Sequence, residues 1–378
     1  MYKTILDFKI DFSYDENKEK VLNNVVGSIS KGQCVALCGE SGCGKSTFLR
    51  CLNHLIPEFY DGIFNGHILV NSENICNKNV GEVGEIISSV FQDPRSQFFT
   101  MESDTEISFG LENKGLTHEE IKKRTKEAFS KFGLEYLENR EVFKLSSGER
   151  QLIAVMAAWA MNTEIILLDE PTANLDYLAI EKLKNILFLL KEEGKTLIIS
   201  EHRLYYLREL VDEYWLIKNR SLYEKYDGDA FRAFSGDKLD DLCLRVLELN
   251  QLKVPNKCFE FCSDRLEVKE VSFGYKKQHI LKDLSFTACL GEVTCLIGKN
   301  GSGKTTLMNI IGCMDKPSLG KIDIAGRDIS KLSSKEILGE SKYASTSLLA
   351  IDRPLEGWKL VKMMFTSGRA SCNLASIC

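Results

Sequence analysis

The sequence predicts an α/β protein: a mostly parallel sheet flanked by helices, laid down in two tandem copies of one domain. Three observations carry this. A glycine-rich loop, GESGCGKST, lies between the apolar run CVALC and a helix-forming stretch. A second apolar run, Ile165 to Leu168, ends in two carboxylates, and a continuous run of this kind reads as a strand covered on both faces. The first pattern then recurs in the second half of the chain.

Composition sets the bounds. A chain of 378 residues predicts two or three domains, and 44% hydrophobic residues suffice for ordinary cores. A net charge of −5, with no long run of either sign, argues against a nucleic-acid partner. The longest apolar run, Leu152 to Met161, falls well short of the roughly 20 residues that span a bilayer. The N-terminus lacks the basic-then-apolar layout of a signal peptide, so the expected compartment is the cytosol. The 13 cysteines contain no Cys-x-x-Cys pair. They read as small buried filler rather than metal ligands, and Cys258 with Cys262 lacks the second pair a metal site needs.

The repeat divides the chain. VVGSISKGQCVALCGESGCGKSTFLRCLN, ending at Asn53, recurs as DLSFTACLGEVTCLIGKNGSGKTTLMNII, ending at Ile311. Upstream, Tyr14 pairs with Tyr275, and downstream GHILVNSENI pairs with GKIDIAGRDI. The expected organisation is a complete domain over residues 1–235 and a linker over 236–264. A partial second domain over 265–343 and an unrelated, disordered tail over 344–378 follow.

Within the first copy, the residues from Gly39 to Thr47 fit G-x-x-x-x-G-K-[ST] in strand–loop–helix context. Gly39, Gly42 and Gly44 let backbone N–H groups close around the phosphates of ATP, and the helix N-terminus adds partial positive charge. Lys45 is expected to reach the β- and γ-phosphates, and the Ser46 hydroxyl to ligate Mg²⁺. At the end of the second strand, Asp169 suits a water-mediated Mg²⁺ contact and Glu170 suits the base that orients an attacking water. An isolated Asp-Glu pair is more often a solvated loop; the apolar strand and the phosphate loop reverse that reading here. Thr117-x-x-Glu120 is a capping box that opens the helix HEEIKKRTKEAFSKF.

These residues resemble the nucleotide-binding domain of ATP-binding-cassette (ABC) proteins. The resemblance implies a P-loop NTPase fold with an antiparallel β subdomain and a helical subdomain. LSSGERQ, Leu145 to Gln151, resembles the family signature L-S-G-G-Q, from which Ser147 and Glu149 depart. By the same resemblance, Ser146 and the Gly148 backbone contact the γ-phosphate held by an opposite domain. Gln92 in VFQDP corresponds to the loop glutamine that senses Mg²⁺ and the transporter partner, and His202 after TLIIS to the γ-phosphate switch histidine. ANLD, ending at Asp176, corresponds to the loop between sites, and Tyr14 to the aromatic stacked on adenine. The stretches FQDPRSQFFTMESDTEISFGLEN and ISEHRLYYL further resemble energy-coupling-factor importers of vitamins or metals.

The second copy offers Tyr275 and GKNGSGKTT, with Gly298, Gly301, Gly303 and Thr306 in the loop. Lys304 and Thr305 take the roles of Lys45 and Ser46, Thr305 as a second Mg²⁺ ligand. From about Ala344 the sequence matches nothing in the first copy, and a frameshifted gene end is the favoured reading ahead of a fragment or a specialised tail. Family sites are composite, so the resemblance implies a second ATPase domain, from another chain or a partner ATPase. It also implies transmembrane transporter subunits and a place on the cytoplasmic face of the membrane. The expected function is ATP hydrolysis that powers an importer. A soluble tandem protein acting on ribosomes or DNA, or a non-functional remnant, are the alternatives.

Overall fold

The computed structural model describes residues 3–14, 19–248, 265–275, 278–289, 296, 298, 301–312, 314–324 and 326–329. The chain divides into two units, Met1–Lys253 and Val254–Cys378.

The central sheet of the first unit is built from short apolar runs: β3 (Cys34–Cys38), β6 (Ile87–Val90), β7 (Ile165–Asp169) and β8 (Thr196–Ser200), with β9 (Glu213–Lys218) and β10 (Ser221–Asp227). Their order is β10-β9-β3-β8-β7-β6. All pairings are parallel except β10 with β9 at one edge. Strand periodicity sends alternate residues to opposite faces, and here both faces are buried. Val35, Leu37, Ile165 and Leu167 join one core, whereas Ala36, Cys38, Ile166 and Leu168 join the other.

The first face is covered by an antiparallel sheet in the order β2-β1-β4-β5: β1 (Thr4–Ser13), β2 (Leu22–Ser30), β4 (Ile63–Val70) and β5 (Glu73–Asn74). Helix α1 (Lys45–Leu52) shares this core, with Phe48 set edge-on to Phe8 at 5.0 Å. Two short helices, α2 (Leu55–Glu58) and α3 (Val80–Gly84), flank it. Trp215, Phe8 and Phe12 are fully buried, and side chains of this size contribute about 1.5–3 kcal/mol each.

The other face packs against α4 (Ser103–Asn113), α5 (His118–Phe132), α6 (Ser147–Ala160) and α7 (Tyr177–Glu192). Thr117 and Glu120 close the expected capping box on α5, and Gly133 at φ 63° ends the helix. Helix α6 starts in the same way, its Ser146 side chain accepting from the Glu149 N–H. Each cap contributes about 1 kcal/mol.

Described structure of the first unit continues past residue 235. Helices α8 (Gly228–Arg232) and α9 (Gly236–Asp241) continue the first unit. Leu239, Leu244 and Leu247 bury in its core, and Arg208 pairs with Glu248 at 2.7 Å. The segment read as linker is amphipathic, and its leucines find an apolar surface to cover. Residues 249–264 lie outside the described residues.

In the second unit, β11 (Arg265–Tyr275), β12 (Gln278–Cys289), β13 (Leu319–Ile324) and β14 (Arg327–Asp328) form an antiparallel sheet in the order β12-β11-β13-β14. It repeats the order of the first unit's β2-β1-β4-β5. Helix α10 (Lys304–Ile311) packs on it through Leu307, Ile310 and Ile311. The expectations for residues beyond 329, including the tail, lie outside the described residues.

Candidate nucleotide and metal site

The phosphate loop joins β3 to α1 through three glycines at positive φ: Gly39 at 146°, Gly42 at 78° and Gly44 at 110°. At Gly39 a Cβ would stand 2.3 Å from the Ile217 carbonyl oxygen, so both conformation and space demand glycine there. Gly44 occupies the N-cap of α1 without a side-chain cap. The first N–H groups of the helix therefore face the loop, an arrangement that suits an anion. Lys45 is buried, and its ammonium donates to the Gly39 and Glu40 carbonyls at 3.0 and 2.9 Å. Thr47 accompanies it on α1, and its hydroxyl lies 3.1 Å from the Tyr14 hydroxyl. Tyr14 is partly exposed and edge-on to Phe12 at 4.7 Å.

Ser46 donates to Asp169 Oδ1 at 3.0 Å, joining the start of α1 to the end of β7. Burial pushes the Asp169 carboxyl above the usual carboxylate range, against the Ser46 hydroxyl, which favours the charged form. A cavity of about 350 Å³ opens beside this pair, lined also by Gln92 and Arg50. One hydroxyl, one carboxylate and one amide oxygen form a hard-donor set that fits Mg²⁺, which keeps several of its waters.

Glu170 follows at φ 42°, a left-handed conformation uncommon for such a residue and frequent at functional sites. Its N–H donates to the Ser200 carbonyl at 2.9 Å. Both carboxylate oxygens are engaged: Gln92 Nε2 donates to Oε2 at 3.0 Å, and His202 Nε2 lies 3.2 Å from Oε1. The His202 ring, and to a lesser degree the Lys45 charge, hold the Glu170 carboxyl below the usual range despite partial burial.

Four elements, α1 and the ends of β6, β7 and β8, thus bring Lys45, Ser46, Gln92, Asp169, Glu170 and His202 to one place. Ser146 and Gly148 lie elsewhere, at the start of α6. Ser147 donates to the Asn174 carbonyl at 2.8 Å, and a Cβ on Gly148 would stand 2.6 Å from the Ala179 Cβ. Asp176 caps α7, accepting from the Ala179 N–H at 3.0 Å. In the second unit Gly301 and Gly303 repeat the positive φ angles at 79° and 89°, and Lys304 donates to Gly298 O at 2.8 Å. Thr305 and Thr306 sit in the first turn of α10, and the Tyr275 hydroxyl donates to Asp315 at 3.0 Å.

Sequence reasoning missed Glu201 and Arg203, which flank His202 and are tied to the loop after Glu170. The signal was slight: Glu201 directly follows the apolar strand TLIIS and Arg203 directly follows His202. Cys34, Cys38 and Cys51 are free and buried, as expected of small filler, whereas Cys43 and Cys76 are half-buried and Cys243 is exposed. Cys258 and Cys262 lie outside the described residues.

The ABC transporter family model matches residues 22–173 and, separately, 281–352. The chain belongs to the ABC transporter family. It is 35% identical over 333 residues to an ABC transporter ATP-binding protein of Treponema denticola, an alignment covering 86% of this chain and 68% of that protein. It is 31% identical to YkoD of Bacillus subtilis, named for HMP/thiamine import, over 87% of this chain and 65% of YkoD. The chain thus spans about two thirds of the length of these relatives. Among solved structures, cbiO1 of Clostridium perfringens, part of the ABC transporter complex cbiONQ, matches with TM-score 0.55 and 26% identity. That match covers 63% of this chain and 97% of cbiO1. A cassette dimer in a post-hydrolysis state, bound to ADP and Pi, matches with TM-score 0.52 and 26% identity over 59% of this chain and 98% of its own. The P-loop ABC ATPase fold of this member of an ATP-hydrolysing family is therefore shared with cassettes of known structure.

Proposed function

We propose that this ABC ATPase powers a membrane importer of the energy-coupling-factor type for a vitamin or metal, working at the cytoplasmic face. The observation that carries the catalytic part is the convergence of Gln92 and His202 on the two oxygens of Glu170, beside the Ser46–Asp169 pair. Lys45 and the N–H groups of the loop and α1 bind the phosphates of ATP. Ser46, Asp169 and Gln92 would hold Mg²⁺, which supplies charge neutralisation on the β- and γ-phosphates when bound. Glu170, ionised and fixed from two sides, orients the attacking water and takes its proton on a free lone pair. His202 stands beside Glu170, where it contacts the γ-phosphate. On this reading Tyr14, whose hydroxyl lies 3.1 Å from that of Thr47, stacks on the adenine, and Tyr275, Lys304 and Thr305 take the matching roles in the second unit. Ser146 and Gly148 serve a site completed by a second cassette.

Two observations support a membrane partner. The relatives include a subunit of an ABC transporter complex and a protein named for HMP/thiamine import. A groove of about 290 Å³ beside Gln97 is lined by Leu55, Phe91, Phe99, Phe109 and Met161, with Phe99 76% exposed. Exposed apolar surface of this kind marks an interaction site. No helix among the described residues is long and apolar enough to cross a membrane, so on this reading the spanning part comes from other subunits.

The test is nucleotide binding by calorimetry, with co-purification of integral membrane proteins encoded beside this gene. Mg²⁺-dependent ATP binding lost in Lys45→Ala, together with a membrane complex weakened by Phe99→Asp, is the expected result. ATP binding unaffected by Lys45→Ala would overturn the site, and absence of any membrane partner would overturn the importer.

A further inference from the structure

We propose that Glu201 is a positioning residue that fixes His202 against Glu170 and locks it to the loop following Glu170. The proposal rests on the role given above to His202.

Glu201 follows β8 and is 3% exposed. A carboxylate buried this deeply must be compensated by hydrogen bonds, and four donors converge on it. Oε1 accepts from the N–H groups of His202 and Arg203 at 2.8 and 3.0 Å. Oε2 accepts from the Thr172 hydroxyl at 2.6 Å and the Tyr206 hydroxyl at 3.1 Å. One oxygen therefore holds the turn that carries His202, while the other reaches across to the segment that leaves Glu170. Its own N–H donates to the Leu37 carbonyl at 3.2 Å, which fixes the turn to the phosphate-loop strand.

Arg203 doubles the link. Its guanidinium donates to the carbonyls of Thr172, Ala173 and Leu175 at 3.0, 3.4 and 3.4 Å. The Ala173 N–H in turn donates to the Glu170 carbonyl at 3.1 Å. The bonds form a closed ring, from Glu170 through residues 172–175 to Glu201 and Arg203, then through His202 back to the Glu170 carboxylate at 3.2 Å. A shift of either partner strains the whole ring. A carboxylate serves because both of its oxygens accept, whereas an amide offers one acceptor oxygen.

The test uses the full-length chain at a concentration where it turns over ATP, with kcat and ATP affinity measured separately. The variants are Glu201→Ala, Glu201→Gln, His202→Ala and Glu201→Ala combined with His202→Ala. Glu201→Ala is expected to lower kcat on the order of 10²-fold, the cost of a misplaced catalytic group, while ATP affinity holds. In Glu201→Gln the amide oxygen still meets the two N–H groups, and the Thr172 and Tyr206 hydroxyls turn to accept, so most turnover returns. In the His202→Ala background the Glu201→Ala loss should vanish, because Glu201 acts through that ring. An equal loss in both backgrounds, a parallel fall in ATP affinity, or an unchanged kcat in Glu201→Ala while His202→Ala is slow would overturn the proposal alone. An unchanged kcat in His202→Ala would overturn the role of His202 as well. Should Glu201→Ala fail to fold, Arg203→Lys, which loses the fork but keeps the charge, must show the same dependence on His202, and its failure to do so would also overturn the proposal.

Discussion

Replacing Glu170 by Gln removes one negative charge and almost no volume. The amide oxygen can accept from Gln92 Nε2, which lies 3.0 Å from Oε2, and the amide nitrogen then faces His202, 3.2 Å from Oε1, whose neutral ring can accept. The opposite orientation would set donor against donor at Gln92. The variant therefore fits the site, and the strained backbone at φ 42° is retained because the new side chain branches no earlier. Lys45, Ser46 and the loop glycines are untouched, so ATP affinity should hold. What disappears is the proposed base. That loss is on the order of 10²–10⁴-fold in turnover, or about 3–5 kcal/mol of barrier at 1.36 kcal/mol per decade. Glu170 is partly exposed, so the change in folding stability should stay below about 1 kcal/mol. Turnover by phosphate release, affinity by calorimetry and stability by urea unfolding separate the three quantities. Turnover within about threefold of the parent would refute Glu170 as the base.

Gly148→Ala should destabilise the chain by about 1–3 kcal/mol in urea unfolding, since its Cβ would stand 2.6 Å from the Ala179 Cβ between α6 and α7. Glu164 is held below the usual carboxylate range by its Lys31 partner and then by Asn71, whose Nδ2 donates at 3.0 Å. Because its folded pKa is depressed, its contribution is present above the unfolded value and lost as pH falls through the folded one. Both partners of the ion pair are well exposed, so Glu164→Gln should cost under about 1 kcal/mol near neutral pH. The difference from the parent should vanish in acid, as unfolding curves at the two pH values will show. LSSGERQ occurs once in the chain, so specific ATPase activity should rise with protein concentration as cassettes pair, measurable across a dilution series.

The sequence by itself determined what local chemistry can announce. The phosphate loop is legible because only glycine supplies the positive φ of Gly39, Gly42 and Gly44. The strand before Asp169 is legible because a run buried on both faces must be apolar throughout, and the capping box at Thr117 and Glu120 because both residues lie within one turn. The repeat is legible as similarity alone, and the two antiparallel sheets follow it with the same strand order. Tertiary structure alone decided which side chains meet. Gln92, Glu170 and His202 are separated by long stretches of chain, and the parallel pairing of β6, β7 and β8 brings the ends of these strands, and so the three residues, to the same end of the sheet. The segment 236–248 read as linker because its leucines show no partner in sequence, yet Leu239, Leu244 and Leu247 bury against a surface assembled from distant elements. Glu201 directly follows a strand, where a glutamate reads as a solvated turn. Three of its donors, the N–H groups of His202 and Arg203 and the Tyr206 hydroxyl, are near it in the chain, but its burial and the Thr172 hydroxyl come only with the fold.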